Sequence, residues 1–173
     1  MFVVLGLGSN RSFESLSCTE LLSMAIKRIG GFVEKLCVSS VYRTAAMYVT
    51  DQDDFYNMVV AGDFRGTPRQ LLEKIHAVEA ELGRDRAKEY RNGPRSIDID
   101  IEIFGKESVN ESDLVIPHER LTERAFVMKP LLEILQIMEK NADKRITDIP
   151  FSSDFLYGKL SELGEQRIDL LSV

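Results

Sequence analysis

The stretch RSIDIDIEIFG, Arg95 to Gly105, alternates apolar and polar side chains. An extended chain sends successive side chains to opposite faces. Ile97, Ile99, Ile101 and Ile103 therefore line one face, and Ser96, Asp98, Asp100 and Glu102 the other. The isoleucine face requires a layer of helices, which leaves the acidic face open. The segments upstream supply that layer. FVVLGLG (Phe2 to Gly8) is a short apolar run closed by glycines and reads as a buried strand. A helix follows from about Ser15 to Ile29, with Cys18, Leu22, Ala25 and Ile29 on one face and Gly30-Gly31 at its end. Phe32 to Thr44 reads as a strand with a bulge, and Phe55 to Phe64 as the next. In the second helix Thr67 is the N-cap, Pro68 sits at N1 and Gln70 completes a capping box. Leu71, Ile75, Val78 and Leu82 form its buried stripe, and Gly83 stops it. The order strand, helix, strand, strand, helix, strand predicts an α+β fold. It is a ferredoxin-like βαββαβ core, with helices on one or both sides of a mostly antiparallel sheet.

Downstream, KESVNESDLVIPH reads as a small hairpin and TERAFVMKPLLEIL as a helix with Thr122 as N-cap and an irregularity at Pro130. From about residue 137 the tail is weakly periodic, with one helix near Ser153 to Leu163. The 173 residues, 44% hydrophobic and 29% charged, are expected to form one domain over 1–173. A net charge of −6 argues against nonspecific nucleic-acid binding. Two unclustered cysteines, Cys18 and Cys37, and the absence of a signal-like or membrane-length apolar run predict a cytoplasmic protein.

Taken alone, three same-face acids about 7 Å apart on a strand read first as a solvated outer face, with a divalent-metal site as the alternative. The neighbourhood favours the metal. Arg84, Arg86, Lys88, Arg91 and Arg95 precede the strand, and His118, Arg120, Arg124 and Lys129 follow it. Carboxylates for Mg²⁺ beside arginines for phosphate oxygens are what a polyphosphate site needs. Gly6-x-Gly8 lacks the dinucleotide-binding pattern and reads as a tight strand-to-turn transition. His76 reads as a surface residue in mid-helix, and Glu102 as a solvated carboxylate.

RNGPRSIDIDIEIFG followed by VIPHERLTERAFVMKPLLEI resembles the signature of the 6-hydroxymethyl-7,8-dihydropterin pyrophosphokinases. LGLGSN, SSVYRT, DFYNMVV and VEAELGRDR match in the same order, over about residues 1–135. The resemblance implies a ferredoxin-like α+β fold and transfer of pyrophosphate from ATP to the dihydropterin hydroxymethyl group, giving AMP, in folate biosynthesis. It implies two Mg²⁺ ions held by Asp98 and Asp100, with Arg84 and Arg95 acting on the transferring phosphates. Glu79, Arg86, His118 and Arg124 match ATP-site positions. Thr44, Phe55, Asn57 and Phe126 match pterin-site positions, with Gly8, Ala45 and Met47 beside them. A monomer without nucleic-acid or membrane partners is expected. A metal-dependent nucleotidyl transferase and a non-catalytic pterin- or nucleotide-binding module are the alternatives. The chain departs from the family pattern at Ala45-Ala46, Asn92, Asp113 and Glu119.

Overall fold

The computed structural model describes residues 1–47, 51–86, 88, 93–164 and 166–171. The elements run β1 (Phe2–Ser9), α1 (Cys18–Ile29), β2 (Val33–Val38), β3 (Tyr42–Thr44), β4 (Phe55–Phe64), α2 (Pro68–Glu81) and β5 (Asp98–Phe104). A hairpin of β6 (Val109–Glu111) and β7 (Leu114–Ile116) follows, then α3 (Ala125–Lys140), α4 (Ser153–Glu162) and β8 (Ile168–Leu170). The main sheet is ordered β5-β1-β4-β3-β8, with β2 also paired to β4. Its pairings are all antiparallel. This is the expected ferredoxin-like α+β arrangement.

The single strand expected over 32–44 is two. Lys35 takes a positive φ of 51°, and the register against β4 shifts between Glu34 and Cys37. Ser39 then takes the ladder's place, its hydroxyl accepting from the Val59 N–H at 2.9 Å. As a result β2 pairs with the far end of β4, and β3 with the near end around Phe55 to Asn57.

Both faces of the sheet are covered, each by its own core. Val3, Leu5, Leu7, Ile99 and Ile101 pack beneath α1 and α2 through Leu21, Leu22, Leu71 and Ile75. Val4, Val59, Ala61 and Ile103 pack beneath α3 through Val127, Met128, Leu131 and Leu135. Ile103 has therefore changed sides relative to the simple alternation. The register of β5 on β1 slips between Val4 and Leu5, which leaves Glu102 as the extra residue of a bulge. A bulge places neighbouring side chains on one face, and here Glu102 and Ile103 share it. The acidic face is thus open only at its Asp98–Asp100 end.

Helices α1 and α2 begin with complete capping boxes, Ser17 with Glu20 and Thr67 with Gln70. Helix α3 begins at Ala125 and not beyond Thr122, because Leu121–Glu123 form a 3-10 turn and Arg124 occupies the N-cap without a side-chain bond to its own helix. Pro130 lies inside α3 and is buried.

Candidate active site

Asp98 and Asp100 stand side by side at the open end of β5, opposite Gly8 and Gly6 of β1. The two glycines do not form a turn; they pave the floor of a cleft. A Cβ on Gly8 would lie 2.8 Å from Asn57 Oδ1, and one on Gly6 would lie 2.7 Å from Glu102 Oε1. Only glycine lets those side chains lie down across the strand. The cleft collects most of the expected residues. Across the sheet the cleft runs from Asp98 and Asp100 of β5, with Arg95 and Arg124, over Gly8 of β1 to Asn57, Phe55 and Thr44 of β4 and β3, and Ala45, Met47 and Phe126 line it as well. Asn57 is buried and its Nδ2 donates to Thr44 Oγ1 at 2.8 Å. Half-buried Phe55 and Phe126 offer aromatic faces, and the Arg124 guanidinium lies 5.6 Å from the Phe126 ring centre.

Both of these half-buried acids are held by arginine. Asp98 accepts from Arg84, and from Arg95 Nη1 at 2.5 Å. Arg124 Nη1 donates to Asp100 Oδ2 at 3.3 Å. Burial alone would raise the Asp98 carboxyl, but the charges of Arg84 and Arg95 outweigh it and hold the group below the usual carboxylate range. Asp100 goes the other way. Burial and the Asp98 charge push it up to about 6 against the pull of Arg124.

Glu79 is placed behind this site. Its side chain is 1% exposed. It accepts from Arg84, from Arg86 Nη2 at 2.5 Å and from the Ile99 N–H at 2.8 Å. Its oxygens are thus committed to holding two arginines and the start of β5. Glu79, Arg84 and Arg86 line a neighbouring depression with His76, which is half-buried and not a plain surface residue. His118 follows a cis Ile116–Pro117 bond, and its Nδ1 accepts from the Arg120 N–H at 3.1 Å. Burial and the Arg124 charge lower its imidazole to about 4, so it is neutral near pH 7 and Nε2 carries the hydrogen. Among the departures from the family pattern, Asp113 is engaged by Arg69 at 2.6 Å and Asn92 lies outside the described residues, as does Arg91 of the basic cluster.

Two residues that shape the cleft escaped the sequence reading. Buried Asn10 accepts from the Arg95 N–H at 2.8 Å and donates to Gln52 Oε1 at 3.0 Å, so it ties the end of β1 to both cleft rims. Glu102, expected in solvent, is 1% exposed on the cleft floor, and neither carboxylate oxygen has a hydrogen-bond partner among the described residues. Burial, then the Asp100 charge, raises it well above the ordinary 4.5. A raised carboxyl contributes stability that is present below the unfolded value and is lost as pH rises through the folded one. In metal-free protein the Glu102→Met variant should therefore be more stable than the parent at about pH 8, by about 1–3 kcal/mol. The gap should shrink towards about pH 5. Urea unfolding at both pH values measures this, and parallel curves would remove Glu102 as the titrating group.

Residues 4–136 match the family model for 7,8-dihydro-6-hydroxymethylpterin-pyrophosphokinase, HPPK. The chain belongs to this family. It is 44% identical over 111 residues to the 2-amino-4-hydroxy-6-hydroxymethyldihydropteridine pyrophosphokinase of Bacillus subtilis, covering 64% of this chain and 65% of the relative. Its namesake from Methylorubrum extorquens is 42% identical over 132 residues, covering 75% and 80%. A mitochondrial folate synthesis bifunctional protein of Arabidopsis thaliana is 40% identical over 136 residues, 77% of this chain but 23% of that one. The chain thus spans just under two thirds of the Bacillus relative and about a quarter of the plant one. The fold is also that of a crystal structure of Plasmodium falciparum HPPK-DHPS, with a TM-score of 0.50 at 14% identity, over 84% of this chain and 45% of the other. Among the described residues no helix is long and apolar enough to cross a membrane.

Proposed function

We propose that this HPPK-family protein transfers pyrophosphate from ATP to the hydroxymethyl group of 6-hydroxymethyl-7,8-dihydropterin, releasing AMP and supplying the pyrophosphorylated pterin to folate synthesis. The observation that carries the reading is the joining of two half-sites in one cleft. Paired acids with three arginines stand at one end, and two aromatic faces with a buried amide stand at the other. A flat heterocycle with an amide-like edge suits Phe55, Phe126 and the Asn57–Thr44 pair. A triphosphate suits Arg84, Arg86, Arg95 and Arg124, with His118 as a neutral donor.

In the reaction the hydroxymethyl oxygen attacks the β-phosphorus in line. A new O–P bond forms as the bond from that phosphorus to the bridging oxygen of AMP breaks, and the hydroxyl proton leaves to solvent. Arg84 and Arg95, now on Asp98, exchange that carboxylate for phosphate oxygens when the triphosphate enters and stabilise the charge in flight. Arg124 bridges the two ends, with its guanidinium between Asp100 and the Phe126 ring.

Among the described residues no group of three acidic, histidine or cysteine side chains could hold a metal unaided. Two carboxylates completed by phosphate oxygens match the way Mg²⁺ is held in phosphoryl-transfer sites. The side chains of Asp98 and Asp100 keep 24% and 37% exposure, with glycine opposite each, so both fit as ligands. Bound there, Mg²⁺ would neutralise charge on the triphosphate. We read all 173 residues as one monomeric enzyme domain of the cytoplasm, where its two free cysteines stay reduced.

The test is AMP release from ATP and Mg²⁺, with and without the dihydropterin, using Asp98→Ala as the control. Dihydropterin-dependent AMP that the substitution removes is expected. Release of pyrophosphate instead would make the protein a nucleotidyl transferase, and saturable ATP binding without AMP would make it a binding module.

A further inference from the structure

The tail beyond the family match ends on the walls of the cleft. Helices α1, α2 and α4 are capped by a serine or threonine of their own, Ser17, Thr67 and Ser152. Helix α3 is not. Its N-cap residue is Arg124, a donor-only side chain that faces Asp100 and cannot satisfy the free N–H groups at the helix start. The missing acceptor comes from the C-terminal tail. The Ala125 N–H donates to Gln166 Oε1 at 3.0 Å, and Gln166 Nε2 donates to the Glu123 carbonyl at 3.3 Å. Both ends of one amide thus grip the peptide units on either side of Arg124.

From Gln166 the chain runs directly into β8, which pairs with the outer edge of β3, Ile168 opposite Thr44. The Leu171 N–H closes the ladder on the Val41 carbonyl at 3.0 Å. The tail is therefore fastened at one end to the wall bearing Arg124 and Phe126, and at the other to the strand bearing Thr44, the partner of Asn57. Between the fastenings lies a small cavity walled by Thr44, Met47, Phe126 and Gln166.

We propose that Gln166 is a positioning residue for the dihydropterin end of the cleft and that the segment 166–170 fixes the spacing of its two walls. This rests on the reading under Proposed function. Phe126 lies two residues past the N-cap, so loss of the cap moves its ring relative to Phe55 and Asn57. Arg124 belongs to the triphosphate end and also sits in the gripped segment, but its guanidinium stays anchored on Asp100. Arg84, Arg95 and the acidic strand are not fastened by the tail, so the triphosphate end is affected less.

The experiment compares the full chain with Gln166→Ala and Gln166→Glu, with Michaelis constants measured separately for the dihydropterin and for ATP. Gln166→Glu keeps the acceptor for the Ala125 N–H and loses only the donor. We expect Gln166→Ala to raise KM for the dihydropterin about tenfold, the scale of a displaced substrate contact, with KM for ATP changed less than about twofold. Gln166→Glu should recover most of the loss. A general loss of folded protein would lower apparent kcat and leave both constants unchanged, and would overturn the proposal, as would a rise in both constants without that rescue. So would an unchanged dihydropterin KM in Gln166→Ala while the parent is active. A parent that forms no AMP would strike the functional reading and this proposal with it.

Discussion

Asp100→Ala should lower dihydropterin-dependent AMP formation by about 10³-fold while leaving the fold intact. Loss of one electrostatic stabiliser of a transition state is typically of that size. The fold should tolerate it because Asp100 contributes little to holding the chain together. Its contact with Arg124 is long, at 3.3 Å, and the neighbouring Asp98 charge opposes it. Removal relieves that repulsion and loosens Arg124, and the two effects oppose each other. The melting temperature should stay within about 4 °C of the parent, equivalent to less than about 1 kcal/mol. A variant that is folded but retains near-parental turnover would remove Asp100 from the chemistry.

The same carboxyl sets a pH dependence. With its value at about 6, Asp100 is protonated in acid and ionised near neutrality. A carboxyl must be ionised to ligate a cation. Mg²⁺ binding, in the presence of a non-hydrolysable ATP analogue, should therefore weaken about tenfold per pH unit below the titration and level off above it. Asp100→Asn should bind more weakly and lose the part of the slope that belongs to the protein. That comparison separates it from titration of the phosphates. An identical slope in parent and variant would assign the whole effect to the nucleotide.

The fold was legible in the sequence where one local signal sufficed. Thr67-Pro68-x-Gln70 fixes the start of α2, and the alternation of Ile97, Ile99 and Ile101 against Asp98 and Asp100 fixes the orientation of β5. The reading failed where a distant partner decides. Nothing between residues 95 and 105 shows that β5 bulges against β1 at Glu102, because the slip is a property of the pair. Ile103 consequently faces the second core and Glu102 the cleft floor. The broken strand over 32–44 has the same origin in the Ser39–Val59 bonds. Thr122 looked like an N-cap because the acceptor in use, Gln166, lies 41 residues away from Ala125. At the site, the Asp-x-Asp pair and its arginines could be named from the sequence. Asn10 could not, since its partners Gln52 and Arg95 meet it only in the folded chain. Glycine at position 6 carried a usable signal, because a glycine inside an apolar strand marks a close approach.

Glu79 separates two accounts of the arginine cluster, and Glu79→Ala is the substitution with the largest expected cost to stability. In the sequence Glu79 matches an ATP contact, but in the fold its carboxylate holds Arg84, Arg86 and the Ile99 N–H. The Arg84 side chain is only 10% exposed and, without Glu79, would keep Asp98 as its acidic partner among those described. Breaking a buried pair from one side typically costs about 3–5 kcal/mol, and because Arg84 keeps Asp98 the loss should lie near the lower figure. The Ile99 amide would lose its acceptor as well. Urea unfolding should show that loss for Glu79→Ala. Glu79→Gln keeps an acceptor for Ile99 but turns an N–H₂ group towards an arginine, so it should recover only part of it. Affinity for ATP should fall in both variants because Arg84 and Arg86 lose their anchor, and the fall should track the loss of stability. A direct nucleotide contact predicts the opposite pattern: ATP affinity lost in Glu79→Gln with stability unchanged. That pattern would make Glu79 a ligand of the nucleotide. The expected pattern makes it the post on which the phosphate-binding arginines are mounted, one step behind the chemistry.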